Sequence, residues 1–445
     1  MNFHEELHRF FQKYSEEMFQ LLKPDEHMSL TLQAEQSQFA RWNHGKIRQL
    51  SQVTQLQIIA LLKVQQKTSK VLFSWTLDEE ENKQRCFKVM AELRKNLEWL
   101  PEDLAWVPFK NAGKESFYDR RPILPLENLS QCLRFGSQND IVGIAVQGPV
   151  VRGSINSLGQ DMWYSVDQSY FDYSIFHPSK KAVKDFIALD NTSMDTVVHR
   201  IENQIQQLSM FDRPLRKIPR GSYKAYLAPA AIQEITDKFQ WNGLSQRAVQ
   251  QKQSAFCKLT DGMTCFHPSF HLRENFDLGL NARFNSLGEI PKSQVPIIQN
   301  GKLVQWLTSS VSAQEYGVLS NQADLMESFR SLEILPGTLR EENILPTLEQ
   351  GLYLSRLHYL NFSDLANARI TGMSRYACFW VEDGQLVAPI EDARFDVSLY
   401  DLFGKNLLQI TNFQEKFFST WTFDERVLGG CFVPGVLVQD FPITM

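Results

Sequence analysis

Residues 377–381 and 385–390 are apolar runs on either side of Glu382-Asp383-Gly384. An Asp-Gly pair in that setting predicts a tight β-hairpin, since a type I′ turn needs positive φ at both central positions. The form x-Gly-x-Leu-Val recurs at Asn300-Gly301-Lys302-Leu303-Val304, predicting a second hairpin within 296–307. The two lie too far apart for a solenoid period, so they read as similar hairpins in one mainly β region. Residues 348–357 are apolar on a helical or buried-strand pattern. A polar loop with Asn361, Ser363, Asp364 and Asn367 follows, then a tight turn at 370–375. Residues 433–444 (VPGVLVQDFPIT) read as a final buried strand.

The first half mixes two periodicities. Phe3, Leu7, Phe10, Phe11, Tyr14, Met18 and Leu21 recur at helical spacing and predict a helix over 3–22, stopped by Pro24. Residues 29–54 alternate as strands around a turn at Asn43-His44-Gly45, with further strands at 56–63 and 70–75 and a helix at 79–97. The Pro-rich, polar stretch 100–133 reads as irregular, and 140–151, with Gly143 and Gly148, as a buried strand pair. Alternating aromatic and polar residues over 164–176 predict a half-exposed strand. Met194 to Leu208 is a helix with Ser193 as N-cap. The basic run 213–220 (RPLRKIPR) reads as a linker rather than a polyanion contact. After it come a strand at 223–227 and a helix at 229–239, with Pro229 at the first helical position, where its missing N–H costs nothing. The expected fold class is α+β: an N-terminal α/β-layer domain (1–218) followed by a mainly antiparallel β C-terminal domain (219–445). The 445 residues exceed what one core usually supports.

A net charge of -5 argues against a nucleic-acid surface, which needs clustered Lys and Arg. Six cysteines without a Cys-x-x-Cys pair, and a start without an apolar signal core, suggest a reducing cytoplasm. No apolar run is long enough for a membrane span. There is no Gly-x-Ser-x-Gly elbow and no phosphate-binding Gly-rich loop.

Gly351-Leu352-Tyr353-Leu354, Asp364, Ile370-Thr371-Gly372 with Arg375, Asp383-Gly384 and Arg394-Phe395-Asp396 follow one another in that order. The series resembles the C-terminal domain of the TldD/PmbA family. The Asn156-Ser157-Leu158-Gly159 turn, the helix after the linker and the final strand extend the resemblance over nearly the whole chain. The family has two kinds of subunit. TldD-like subunits carry His-Glu-x-x-x-His on the helix after the linker, with two zinc-binding histidines and a Glu able to act as base. TldE-like (PmbA) subunits lack the motif and serve as partners. Laid on this chain, the motif puts Gln233 and Lys238 in the histidine positions, and only Glu234 survives. An amide oxygen is a poor zinc ligand and an ammonium repels the metal. The resemblance therefore implies no catalytic residue and no cofactor here, with zinc expected in a catalytic partner and Glu234 read as a solvated helix residue. Three other residues, His267, His271 and Cys431, are metal candidates. His267 and His271 (CFHPSFHL) fit one helix face, but Pro268 and the alternating Phe266, Phe270 and Leu272 predict a strand, which would set them about 13 Å apart. Cys431, in Gly429-Gly430-Cys431, stands where TldD-like subunits use a cysteine ligand, but without the histidines it reads as structural. Residues 319–330 depart from the family's Thr-Gly-Asn-like segment. The resemblance implies a non-catalytic subunit of a TldD/TldE-type zinc metallopeptidase that degrades or matures unfolded peptides, dimeric with a TldD-like chain or with itself. The alternatives are a homodimeric peptide-binding regulator, since family members are called modulators of DNA gyrase, and a peptidase acting through unidentified residues.

Overall fold

A computed structural model describes residues 3–445 apart from 77, 127, 130–139, 241, 261 and 263. The chain begins with helix α1 (Glu5–Phe19), whose apolar stripe buries Leu7, Phe11, Tyr14 and Met18. Strands β1 (His27–Asn43) and β2 (Lys46–Val64) form one long hairpin, turned by His44 (φ 51°) and Gly45 (φ 65°). The expected separate strand at 56–63 is therefore the second half of β2. β3 (Lys67–Phe73) pairs with β2, and α2 (Glu79–Trp99) follows, capped by the Asp78 side chain. The stretch expected to be irregular holds β4 (Lys114–Asp119); its end, with Cys132, lies outside the described residues.

β5 (Asp140–Asn156) is one strand rather than a pair. Its glycines do not mark a turn. A Cβ at Gly143 would stand 2.7 Å from Tyr173 Cβ on the next strand, so glycine here permits close approach. β6 (Asp161–Phe176) is buried along nearly its whole length, not half-exposed. Phe171 and Tyr173 pack under α3 (Met194–Leu208), while Tyr170 joins a core made mostly of residues from the C-terminal half. Two covering layers explain the burial. With β7 (Ala182–Ala188), the N-terminal sheet has the order β3-β2-β1-β5-β6-β4, with β7 also on β6. All its ladders are antiparallel except β4–β6. As expected, Ser193 caps α3, its side chain accepting from Thr196 N.

The second sheet is built on β8 (Gly221–Leu227), with helix α4 (Pro229–Gln240) directly after it. Contrary to expectation, the described residues of 242–348 are mostly irregular or in short helices, and their strands are the short β9 (Leu272–Asn275), β10 (Gln294–Gln299), β11 (Lys302–Leu303) and β12 (Leu332–Ile334). β13 (Gly351–Leu354) and β14 (Arg356–Asp364) follow, then β15 (Arg369–Arg375), β16 (Phe379–Glu382), β17 (Gln385–Pro389), β18 (Arg394–Ser398), β19 (Leu407–Phe418) and β20 (Gly430–Ile443). Both x-Gly hairpins form with positive φ at both turn residues: Asn300 50° and Gly301 71°, Asp383 50° and Gly384 68°. Of the expected loop at 361–367, residues 361–364 belong to β14 and 365–367 form a tight turn capped by Asp364; the expected turn at 370–375 is instead strand β15. Ile370, Gly372 and Ser374 alternate inward, and a Cβ at Gly372 would lie 2.7 Å from the Phe395 ring. Glycine there makes room for an aromatic ring rather than a turn. The main path runs β11-β10-β9-β12-β20-β8-β13-β16-β17. It is mainly antiparallel, with parallel ladders at β8–β13 and β12–β20. The α+β class stands.

Segment 419–429 reaches from the second sheet back to the first. Arg426, buried, donates from Nη1 to Ser37 Oγ (3.2 Å) and Gly148 O (3.1 Å), and from Nη2 to Gln168 O (3.0 Å). Its backbone N–H donates to the buried Glu35 carboxylate at 3.0 Å.

Candidate functional site: a cleft between the two sheets

Helix α4 buries Ala231, Ile232, Ile235 and Phe239. At about 100° per residue, Gln233, Glu234, Asp237 and Gln240 share another face. All four line a cleft of about 560 Å³. Lys238 is off this face. Its Nζ lies 5.9 Å from the Phe362 ring centroid. The helix thus separates the two positions matched to motif histidines, directing Gln233 into the cleft and Lys238 away from it.

The N-terminal sheet contributes the ion pair of Asp172 and Lys184 (2.9 Å) and the Phe186 ring. The second sheet contributes Phe417, Phe418 and Cys431, and exposed Trp421 stands at the margin. Arg356, the first residue of β14, also lines the cleft. Its side chain is 5% exposed, Nη1 is 3.7 Å from Glu234 Oε1, and the buried Nε has no partner among the described residues. At 3.7 Å, Glu234 is a charge neighbour and not a hydrogen-bond partner.

Burial pushes the Glu234 carboxyl above its ordinary range, and Arg356 partly opposes the shift. Asp237, exposed at the rim of the cleft, is shifted in the same direction by partial desolvation, countered by Lys238. The Cys431 thiol is pushed up to about 12, chiefly by burial and further by Asp237 and Glu234, with Thr236 opposing. A thiol held that high stays protonated near neutral pH and is a poor nucleophile and a poor ligand.

Cys431 and Glu234 therefore meet at one cleft, while the two histidines lie elsewhere. The expected strand at 267–271 is a turn, because Pro268 and Ser269 bend the chain and Phe270 N–H donates to His267 O (2.8 Å). His267 Nδ1 pairs with Ser269 Oγ (2.7 Å), and His271 Nδ1 accepts from Asn300 N–H (3.4 Å). Among the described residues, no three His, Cys, Asp or Glu side chains are placed to hold a metal ion. The cleft's donors do not fit zinc: two amides, one protonated thiol, the Glu234 carboxylate beside a guanidinium, Asp172 paired with Lys184, and Asp237 without a histidine or thiolate to share an ion. Sequence reasoning missed Arg356, Lys184 and Asp172, which no local pattern marks. Asp237 was within reach, since it lies one helical turn from Glu234 on the same face.

The chain belongs to the PmbA/TldD family: residues 220–445 match the PmbA/TldA metallopeptidase C-terminal domain. No curated protein matches the sequence. Three solved structures share the fold over essentially their full length. One, described as a proposed modulator of a DNA gyrase from Thermotoga maritima, has a TM-score of 0.77 at 14% identity, covering 98% of this chain and 100% of its own. TldE from Thermococcus kodakarensis has a TM-score of 0.76 at 16% identity, covering 99% of both chains. A proposed modulator of DNA gyrase from Bacteroides thetaiotaomicron has a TM-score of 0.74 at 13% identity, again covering 99% of both. No helix among the described residues is long and apolar enough to cross a membrane.

Proposed function

We propose that this chain is a TldE/PmbA-like, non-catalytic subunit of a cytoplasmic TldD/TldE-type zinc metallopeptidase acting on unfolded peptides, with the zinc carried by a TldD-like partner. The observation that carries this reading is the pairing at the motif helix. Glu234 faces the buried Arg356 guanidinium across 3.7 Å, and Lys238 points out of the cleft toward Phe362. A fixed cation beside the carboxylate disfavours a divalent ion and holds the charge that a general base would need free.

The test is reconstitution. Purified alone, the chain should hold far less than one zinc per molecule by elemental analysis and should leave unfolded peptides intact. Mixed with a family member that carries His-Glu-x-x-x-His, it should elute as one complex and support cleavage. Stoichiometric zinc, or cleavage by the chain alone, would make it a peptidase in its own right. Peptide binding by a self-dimer, without turnover in any mixture, would select the regulator instead.

A further inference from the structure

The arginines of the linker have different fates. Arg213 donates from Nη1 to Val387 O (2.9 Å), and Arg216 pairs with Glu382 (2.6 Å) and lies 4.4 Å over the Trp380 ring. Both fasten the linker to the β16–β17 hairpin. Arg220 has no hydrogen bond or ion pair among the described residues. It lines a groove of about 530 Å³ together with Arg369, Thr371, Arg394 and Asp396.

The ladder builds this groove. Thr371 is opposite Asp396 in the β15–β18 register. Alternation then puts Arg369, two residues before Thr371, and Arg394, two before Asp396, on the same face. The single ladder step Phe395–Ile443 brings the end of β20 beside β18, and Ile443 also pairs with Gly221, next to Arg220. Three guanidiniums from three chain segments thus meet at one place, and only one acidic side chain lines the groove with them. Asp396 accepts from Arg369 Nη1 at 3.1 Å. Arg394 is oriented by Nε donating to Thr371 Oγ1 (3.3 Å), a hydroxyl that itself donates to Phe395 O (3.0 Å), so both Nη groups stay free. Met445 O, at the rim, is taken by the Arg394 backbone N–H (2.7 Å). In a chain of net charge -5, the unpaired guanidiniums of Arg220, in the bend before β8, and Arg394, on β18, concentrate positive potential against the Asp396 carboxylate and the backbone carboxylate of Met445, which also line the groove. Like charges repel at this range, so the arrangement is relieved by a ligand carrying two negative charges and several acceptor oxygens.

We propose that the groove between the linker and the β15–β18 ladder binds a phosphate group, held between Arg220 and Arg394 with Arg369 alongside. The ligand class is a small phosphate dianion, either free or as a phosphomonoester. The site lies apart from the α4 cleft, shares no lining residue with it, and stands independently of the subunit role proposed above.

The experiment is calorimetric titration of the full chain with inorganic phosphate at low ionic strength, repeated with a nucleoside monophosphate and with chloride as the control anion. Saturable one-to-one binding is expected, weakening with salt, with Arg220→Ala and Arg394→Ala each lowering affinity roughly tenfold. Arg394→Lys should recover only part of the loss, because the fork is gone. Tighter binding of the monophosphate identifies an ester as the ligand, and equal binding identifies free phosphate. No saturation, or an affinity unmoved by both arginine substitutions in variants that melt like the parent, overturns the proposal.

Discussion

Two buried arginines sit near the seam between the sheets, and they are satisfied very differently. Arg426 is surrounded by acceptors: Ser37 Oγ, Gly148 O, and Gln168 through both backbone and side chain. Arg356, equally hidden, has no side-chain hydrogen bond among the described residues, with Glu234 at 3.7 Å and an unpartnered Nε. Burial alone does not separate a structural arginine from a site arginine. A desolvated guanidinium whose donors are filled fastens the fold; one whose donors are idle marks a place where the fold has something still to bind or to hold in check. Lys63 stands between the two. It is buried, donates to Val107 O, and lies 4.4 Å from the Phe109 ring centroid and 5.4 Å from that of Trp106.

The comparison predicts a graded series. Arg426→Ala should be the most damaging, by about 3–5 kcal/mol in denaturant unfolding, because it strands buried acceptors of the N-terminal sheet that hold segment 419–429 against it. A loss below about 1 kcal/mol would break the contrast. Lys63 should show its strain as pH dependence. Burial pushes it from its ordinary 10.5 down to about 8. Between those values the unfolded chain holds the proton and the folded chain does not, so stability should rise with pH across that window. Lys63→Met should remove this slope and leave stability unchanged or higher, as replacement of a buried charge often does. A slope that persists in the variant would assign it to other groups.

Arg356→Met should cost less than half of what Arg426→Ala costs, since no hydrogen bond is lost. It should also raise the Glu234 carboxyl further, as Arg356 is the larger of the two cations, with Lys184, that hold it down; carbon NMR titration of the Glu234 side chain reads this directly. A Glu234 carboxyl that stays put would mean that Arg356 does not face it in solution. The smallest effect concerns thiols. With Cys431 pushed up to about 12, iodoacetamide at mildly alkaline pH should label exposed Cys265 in the native protein and leave Cys431 unmodified. Labelling of both at similar rates would place Cys431 in open solvent.

The parts of the fold legible in the sequence were those with local physics. The x-Gly turns need positive φ, Ser193 caps a helix, and the stripes of α1 and α3 repeat every three or four residues. The misreadings share a different cause. Gly143 and Gly372 resemble turn residues, but each leaves room for an atom from a strand far away in sequence. β4 reads as loop because its order comes from pairing with β6, some fifty residues later. The site divided in the same way. Glu234 and Gln233 come from laying the family motif on their helix; Glu234, expected to be solvated, instead lines the cleft facing Arg356, and Asp237 follows from the same helical wheel. Arg356, Asp172 and Lys184 come from other elements, and only the folded arrangement joins them. The histidine pair was misplaced because Pro268 breaks the strand that its neighbours suggested.

The strand orders also set a timetable for synthesis. β1 lies between β2 and β5, and the ribosome must add 74–139 after β3 before β5 begins. At roughly 5–20 residues per second the open edge of a long strand waits several seconds for its partner. The second half waits longer: β8 sits between β20 and β13, and β20 is the last strand of the chain. Until it emerges, the middle of that sheet stays unfilled.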